Sequence, residues 1–539
     1  MDFESSPFKH LLHTNYVPTP DEALKIRELC ADPLKELARL EAEIGQTQAL
    51  LYDLQRAYRQ LKTPVDAHIA LLSPVRNLPP EVLQLIFVMT LSANRNAVMH
   101  ASEAPLLLGR VCSGFRRIAF ATPALWSSVH IVCPPMEYSE SATAQTQVKR
   151  RAIENWLARS GVCPLSISLW VSREAGFGGA AVAAASPFVE AILPLSNRWR
   201  HVELRVPTDS LDSFHYLQGS DVPLLQTFAI TNGGSLARDD WSANLIFLQH
   251  APRLHTISLT HEGNVNLPPL PWAQLTSLSL APTQEFFGLD GSMTLDILRE
   301  CLNLRTCILH FPPTDQANSL PLRVFTLPNL RTLSVLATKF PATDCTVIDI
   351  FDSLVLPGLQ NIEIRDVNGD LHVFPALQRL LSRSPCRLQK LTLSDITATA
   401  DDLIYLLGLQ SVTSLTELIV HDRGRDWRDE GGCVVSDALI RAMSYDNPLL
   451  CPNLRVLKLA QCSDFSDGAL LAFLRSRRRP RGRVVQLQEA EISFDRAIEF
   501  EFDLKTEMQR LAEEGLTVTI RHEDDSWDVR VSPWEGLTS

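Results

Sequence analysis

The sequence lacks the marks of several protein classes. Its eleven cysteines in 539 residues are too sparse for a disulfide scaffold. No two of them form a C-x-x-C, which removes zinc-ribbon and thioredoxin-type sites. There is no G-x-S-x-G, no Walker A loop and no H-E-x-x-H, and Gly176-Phe177-Gly178-Gly179 lacks the strand–loop–helix setting of a phosphate cradle. The fourteen histidines are scattered without metal spacing, so no catalytic residue, cofactor or metal ligand is expected. Met1-Asp2-Phe3-Glu4 has neither the basic nor the apolar region of a secretory signal. The most apolar stretch, Gly178 to Leu195, is interrupted by Pro187, Glu190 and Pro194, so no membrane span is expected. Positive charge is also in deficit. A net charge of −12 argues against a general nucleic-acid binder, which must neutralise phosphates. These absences together point to an intracellular chain, cytoplasmic or nuclear, with reduced thiols.

What is present is apolar material in ordered patterns. A 45% apolar share supports a packed core. Length alone suggests three to four domains at roughly 150 residues each, but a repeat array breaks that estimate because its core grows along one axis. Residues 1–20 have no helical period and read as a flexible lead-in. Over 21–62, Leu37, Leu40, Ile44, Thr47, Leu51, Leu54, Tyr58 and Leu61 recur in steps of three and four. That is a heptad seam, with Pro64 expected to stop the helix. The seam specifies a partner surface without saying whose: self-association through residues 37–61 and packing on the same chain both remain open.

Residues 71–135 read as a compact helical zone. Leu78-Pro79-Pro80-Glu81 suits the opening turn of a helix, and Leu83, Ile86 and Phe87 continue it. A second helix follows from about Pro105 to Ala121, then Leu125-Trp126.

From about 160 to 539 the chain repeats L-x-x-L-x-L. The instances are Leu225/Phe228/Ile230, Leu254/Ile257/Leu259, Leu275/Leu278/Leu280, Leu304/Cys307/Leu309, Leu330/Leu333/Val335, Leu359/Ile362/Ile364, Leu388/Leu391/Leu393, Leu415/Leu418/Val420 and Leu454/Leu457/Leu459, with Trp199/Val202/Leu204 as a weaker first member. Most spacings fall in the leucine-rich-repeat window of about 20–29 residues. An insertion around Asp422 to Gly432 lengthens the last interval. One unit cannot bury its own leucines, so stacking is required. The fold expected is an α/β leucine-rich-repeat solenoid: a curved parallel strand ladder with helices on the convex side and a C-terminal cap, preceded by the heptad helix and an all-α module. Leu295–Leu298 and Asp402–Leu407 are expected in return helices, with Asp401-Asp402 as a helix start. Cys462 is expected as a small buried side chain at the turn off its strand.

Residues 76–130 resemble an F-box. The matching residues are Leu78-Pro79-x-Glu81-x-Leu83-x-x-Ile86-Phe87, Val111-Cys112-x-x-Phe115-Arg116-x-Ile118-Ala119 and Leu125-Trp126. Phe115 stands where such modules usually carry Trp, and the stretch from Ser92 to Pro105 is longer than in compact members. The order heptad helix, F-box, degenerate leucine-rich repeats is similar to the large F-box-like families of mushroom-forming fungi. The resemblance implies docking on a Skp-type adaptor of a cullin–RING (SCF) ubiquitin ligase through Leu78, Pro79, Glu81, Leu83, Ile86, Phe87, Val111, Cys112, Phe115 and Trp126. The repeats would then receive an unknown protein substrate. Residues alternating with the late leucines, Asn361, Glu363, Arg365, Lys390, His421 and Lys458, are the candidate substrate-facing set, because charge complementarity gives specificity. The alternative is a scaffold outside ubiquitin chemistry with a module that no longer docks. The arginine cluster Arg475–Arg483 is expected in an exposed inter-repeat loop, with nuclear import as the competing reading.

Overall fold

A capping box starts the first helix, α1 (Pro20–Leu71). The Thr19 hydroxyl accepts from the Glu22 N–H at 3.4 Å, and the Glu22 carboxylate accepts from the Thr19 N–H at 2.8 Å. Helix α1 runs beyond the expected stop and passes through both Pro33 and Pro64. A proline removes one hydrogen bond at a cost of about 3 kcal/mol. The helix continues through both positions among good helix formers, and beside Pro64 the side chains of Thr63 and His68 bond to the carbonyls of Arg59 and Pro64.

The computed structural model describes residues 6–133, 140–171, 179–232, 241–261, 267–282, 291–311, 323–337, 343–366, 373–395, 398–422, 434–444, 450–462, 465–478, 484–494 and 504–522. Two compact units make up the chain, Met1–Leu83 and Gln84–Ser539. Helix α2 (Pro80–Met89) spans that division, and α3 (Leu108–Val111) and α4 (Ser113–Phe120) lie in the second unit.

The second unit is dominated by fourteen parallel strands hydrogen-bonded in strict chain order. They are β1 (Ser128–Cys133), β2 (Leu165–Val171), β3 (Trp199–Val206), β4 (Thr227–Asn232), β5 (Thr256–His261), β6 (Ser277–Pro282) and β7 (Thr306–Phe311), then β9 (Thr332–Ala337), β11 (Asn361–Asp366), β12 (Lys390–Ser394), β13 (Glu417–His421), β14 (Val456–Cys462), β15 (Glu489–Phe494) and β16 (Thr517–His522). The two-residue strands β8 (Phe325–Thr326) and β10 (Leu354–Val355) pair separately. This is a solenoid-like α/β architecture. Register is kept across β4 to β6, so that Phe228, Ile257 and Leu278 align, as do Ile230, Leu259 and Leu280, and it shifts at Leu165/Ser166 between β2 and β3 and at Leu459/Cys462 between β14 and β15. The apolar side chains of the ten expected repeat units are at most 3% exposed.

The return segments vary. Near the start they are helical (Glu140–Arg159, Gly179–Ile192), then 3-10 (Thr208–Tyr216, Trp241–His250), then helical again from Gly291 onward. The expected return helices form as Gly291–Glu300 and Ala400–Leu407, the latter capped by Thr399 and Asp402. The cap helix Leu504–Glu513 ends at Gly515, whose φ of +88° suits glycine. No helix among the described residues is long and apolar enough to cross a membrane.

The ladder starts at Ser128, not near 160, and β1 lies inside the zone expected to be all-helical. The reason is visible at Trp126. Trp126-x-x-Val129-x-Ile131 occupies the same core positions as Trp199-x-x-Val202-x-Leu204, and all six are at most 1% exposed. Each tryptophan donates its indole N–H to the carbonyl seven residues earlier, Ala119 at 2.8 Å and Ile192 at 3.3 Å. The helical zone therefore flows into the first repeat.

Candidate interaction surfaces

Helix α2 begins with Pro80, which gives up an N–H that would be unpaired anyway, and Glu81, which complements the helix dipole. Leu83 and Phe87, one turn apart, are 6% and 2% exposed. Phe87 meets Phe115 edge to face at 4.8 Å, so a phenyl ring at position 115 serves as a packing partner. The Cys112 thiol caps α4 by accepting from the Phe115 N–H at 3.4 Å, and Arg116 ties α4 to α3 by donating to the Gly109 carbonyl at 2.7 Å.

The other side of α2 is apolar and uncovered. Leu85, Ile86 and Met89 are 63%, 42% and 81% exposed, and Leu107 and Val111 are 44% and 59% exposed. A short helical module rarely leaves so many large apolar side chains in water without use. The ten residues matched to the F-box thus separate by burial. Pro79, Glu81, Ile86, Val111 and Cys112 are exposed, and Leu78 and Phe115 are half-buried. Leu83, Phe87 and Trp126 are buried. Trp126 has no exposed surface, packs against Trp156 at 4.9 Å and lies under the Arg159 guanidinium at 4.8 Å. It acts as a core anchor beneath the module and has no surface to offer a partner. Leu85, Met89 and Leu107 belong to the exposed set although no motif pointed to them; for Leu85 and Met89 the signal is helical phase opposite Leu83 and Phe87, whereas Leu107 lies at the N-cap of α3.

The open face of the ladder carries the residues that alternate with the buried ones. Across β4, β5 and β6 these are Thr227, Ala229, Thr256, Ser258, Ser277 and Ser279, all small and uncharged. The later charged set is brought onto neighbouring strands, but most of it is already engaged. Lys390 pairs with Glu417 at 2.8 Å. Lys458 bridges Glu489 at 2.7 Å and Glu491 at 3.3 Å, which holds its ammonium above the ordinary value. Asn361 donates to the Thr332 hydroxyl at 3.2 Å, and Glu363 accepts from Ser334 at 3.2 Å. Arg365 and His421 are exposed.

No protein-family model matches this chain, and no curated protein matches it. The surfaces must therefore speak through their chemistry. Two features escaped sequence reasoning. On β1–β3, Trp170 is 37% exposed, with His130 at 5.6 Å on one side and the Arg205 guanidinium at 5.2 Å on the other. Its signal was an outward Trp beside the alternating Leu165, Ile167 and Leu169. A groove of about 440 Å³ at the head of β1–β4 is lined by Asn96, Ser128, His201, Glu203 and Thr227, among others. Burial, first of all, holds the His130 and His201 imidazoles below their ordinary value. Among the described residues no cluster of three or more His, Cys, Asp or Glu is placed to hold a metal.

The arginine cluster differs from the loop expected for it. Helix Asp467–Arg478 includes Arg475, Arg477 and Arg478, and Arg477 is 2% exposed. Its guanidinium donates to the carbonyls of Met443, Leu450 and Cys451 at 2.6–3.1 Å. Arg479, Arg481 and Arg483 lie outside the described residues.

Proposed function

We propose that this chain is a non-catalytic substrate-recognition adaptor of an SCF-type ubiquitin ligase. The segment from Leu78 to Trp126 serves as an F-box-like module, and the ladder serves as a leucine-rich-repeat receptor. The observation that carries the reading is the exposed apolar row Leu85, Ile86 and Met89 on α2, with Leu107 and Val111 also exposed, backed by the buried pair Leu83 and Phe87. Exposed apolar anchors on a rigid support dominate interface energy. The chemistry of such a protein is positioning: it raises the effective concentration of a bound substrate near a ubiquitin-loaded enzyme.

The test is co-expression with a Skp-type adaptor and the adaptor-binding part of a cullin. Parent protein should co-purify with both. Ile86→Asp/Met89→Asp, which alters exposed positions and spares the core, should lose both while keeping the parent's circular dichroism spectrum. A parent chain that never retains the adaptor overturns the reading and leaves a repeat scaffold outside ubiquitin chemistry.

A further inference from the structure

Helix α1 carries a heptad seam that nothing in its own unit covers. Leu37, Leu40, Ile44, Leu51, Leu54, Tyr58 and Leu61 range from 40% exposed at Leu40 to 70% at Leu61, and no residue of the helix is buried. Thr47, the polar member, donates its hydroxyl to the Glu43 carbonyl at 2.8 Å. It can therefore enter an interface without stranding a donor.

The charges beside the seam are arranged unevenly. Over residues 36–43 there are three carboxylates, Glu36, Glu41 and Glu43, against Arg39 alone. Over residues 55–62 there are three cations, Arg56, Arg59 and Lys62, and no carboxylate. With Leu37, Ile44, Leu51 and Tyr58 at heptad position a and Leu40, Thr47, Leu54 and Leu61 at d, Glu36, Glu43 and Leu50 fall at g, and Glu41, Gln48, Gln55 and Lys62 at e. A parallel, in-register pair would set Glu36 against Glu41 of the second copy and Leu50 against its Gln55. It would also lay acidic half on acidic half. An antiparallel pair faces Leu37 with Leu61, Leu40 with Tyr58, Ile44 with Leu54 and Thr47 with Leu51. It lays the net-acidic block 36–43, in which Arg39 already pairs with Glu36 at 2.7 Å and Glu43 at 3.1 Å, along the basic block 55–62, so the halves attract as blocks and not through flanking pairs. Position g then meets g, so the two Leu50 side chains, 61% exposed in the single chain, meet across the dyad.

We infer that α1 pairs antiparallel with α1 of a second copy of this chain, centred midway between Leu37 and Leu61. The seam is about 36 Å long at 1.5 Å per residue, long enough for a sustained coiled coil. The block charges favour the antiparallel orientation, and the self-matching Leu50 selects the register. This inference stands apart from the adaptor reading, since it uses only residues of the first unit.

The test is sedimentation equilibrium on the full chain at tens of micromolar. The parent should sediment as two chains, and Leu51→Asp/Leu54→Asp as one, with the ladder's thermal transition unchanged. Orientation is read by mild oxidation, with parent protein as the baseline for native cysteines. Leu50→Cys should give a disulfide-linked dimer, and Leu61→Cys, whose two copies lie about 36 Å apart along the seam, should not. A monomeric parent overturns the inference, whether the seam folds back or takes a different protein. So does a dimer that survives the double Asp variant, or one that crosslinks through Leu61→Cys and not through Leu50→Cys.

Discussion

Arg477 shows how one side chain settles several carbonyls at once. Its guanidinium reaches Met443, Leu450 and Cys451 from a fully packed site. Two further arginines work the same way: Arg198 on the Cys163 carbonyl, and Arg383 on those of Phe351 and Leu354. Removing such a group strands acceptors and opens a cavity. Arg477→Ala should lower stability by about 3 kcal/mol, read from the midpoint and slope of a urea unfolding curve. Arg477→Lys should recover only part, because one ammonium cannot reproduce the fork. The buried thiols give a second residue-level prediction. Burial pushes Cys133, Cys301 and Cys451 up to about 12, and Cys307 higher still. A thiolate-directed alkylating agent at neutral pH should therefore label exposed Cys112 in the folded chain and leave those four until denaturant is added, as read by peptide mass spectrometry.

At the scale of elements, the repeat strands were legible because L-x-x-L-x-L carries period and spacing together. Leu225, Leu254 and Leu454 could be placed from sequence alone. β1 and β2 do not read as repeats, because Leu125-Trp126, just ahead of β1, matches the F-box resemblance and β2 has Pro164 where a leucine would mark the unit. β15 was missed because its unit reads Leu487-x-x-Ala490-x-Ile492, with the middle leucine reduced to alanine. The exposed row of α2 was only partly legible. The motif supplied Ile86, but Leu85 and Met89 emerge once Leu83 and Phe87 fix which side is inside. Arg477 was illegible, since a run of arginines reads as solvated and nothing in the run marks which one turns inward. The open face also carries a pH response. Burial holds His310 below its ordinary 6.5, and holds His201 down as well. A folded-state value below the unfolded one means that protonation favours unfolding. The stability these neutral imidazoles support is present above about pH 6.5 and falls as the pH drops below it. Thermal midpoints should be lower at about pH 5.5 than at about pH 7.5, and His310→Gln should narrow that gap.

For the whole molecule, the estimate of three to four domains gives way to two compact units, with the helical zone from α3 onward sharing its core with the ladder. Trp126 and Trp156 belong to both. A fragment of residues 71–127 should consequently fail to unfold cooperatively by itself, while the full chain should show a sharp transition by calorimetry. Within the ladder, each unit touches its neighbours through register-matched strands and carbonyl caps such as Asn303 to Ala273, Asn329 to Leu302 and Asn453 to Thr413. Stability then accumulates unit by unit, as in other stacked arrays.

We propose that the exposed row on α2 docks a Skp-type adaptor, and isothermal titration of the purified chain with purified adaptor decides it. Saturable binding of the parent, weakened at least 100-fold in Ile86→Asp/Met89→Asp, is the result this reading requires, since losing two apolar anchors that docking would bury costs about 3 kcal/mol or more. No heat of binding from the folded parent, or equal binding by the variant, contradicts it.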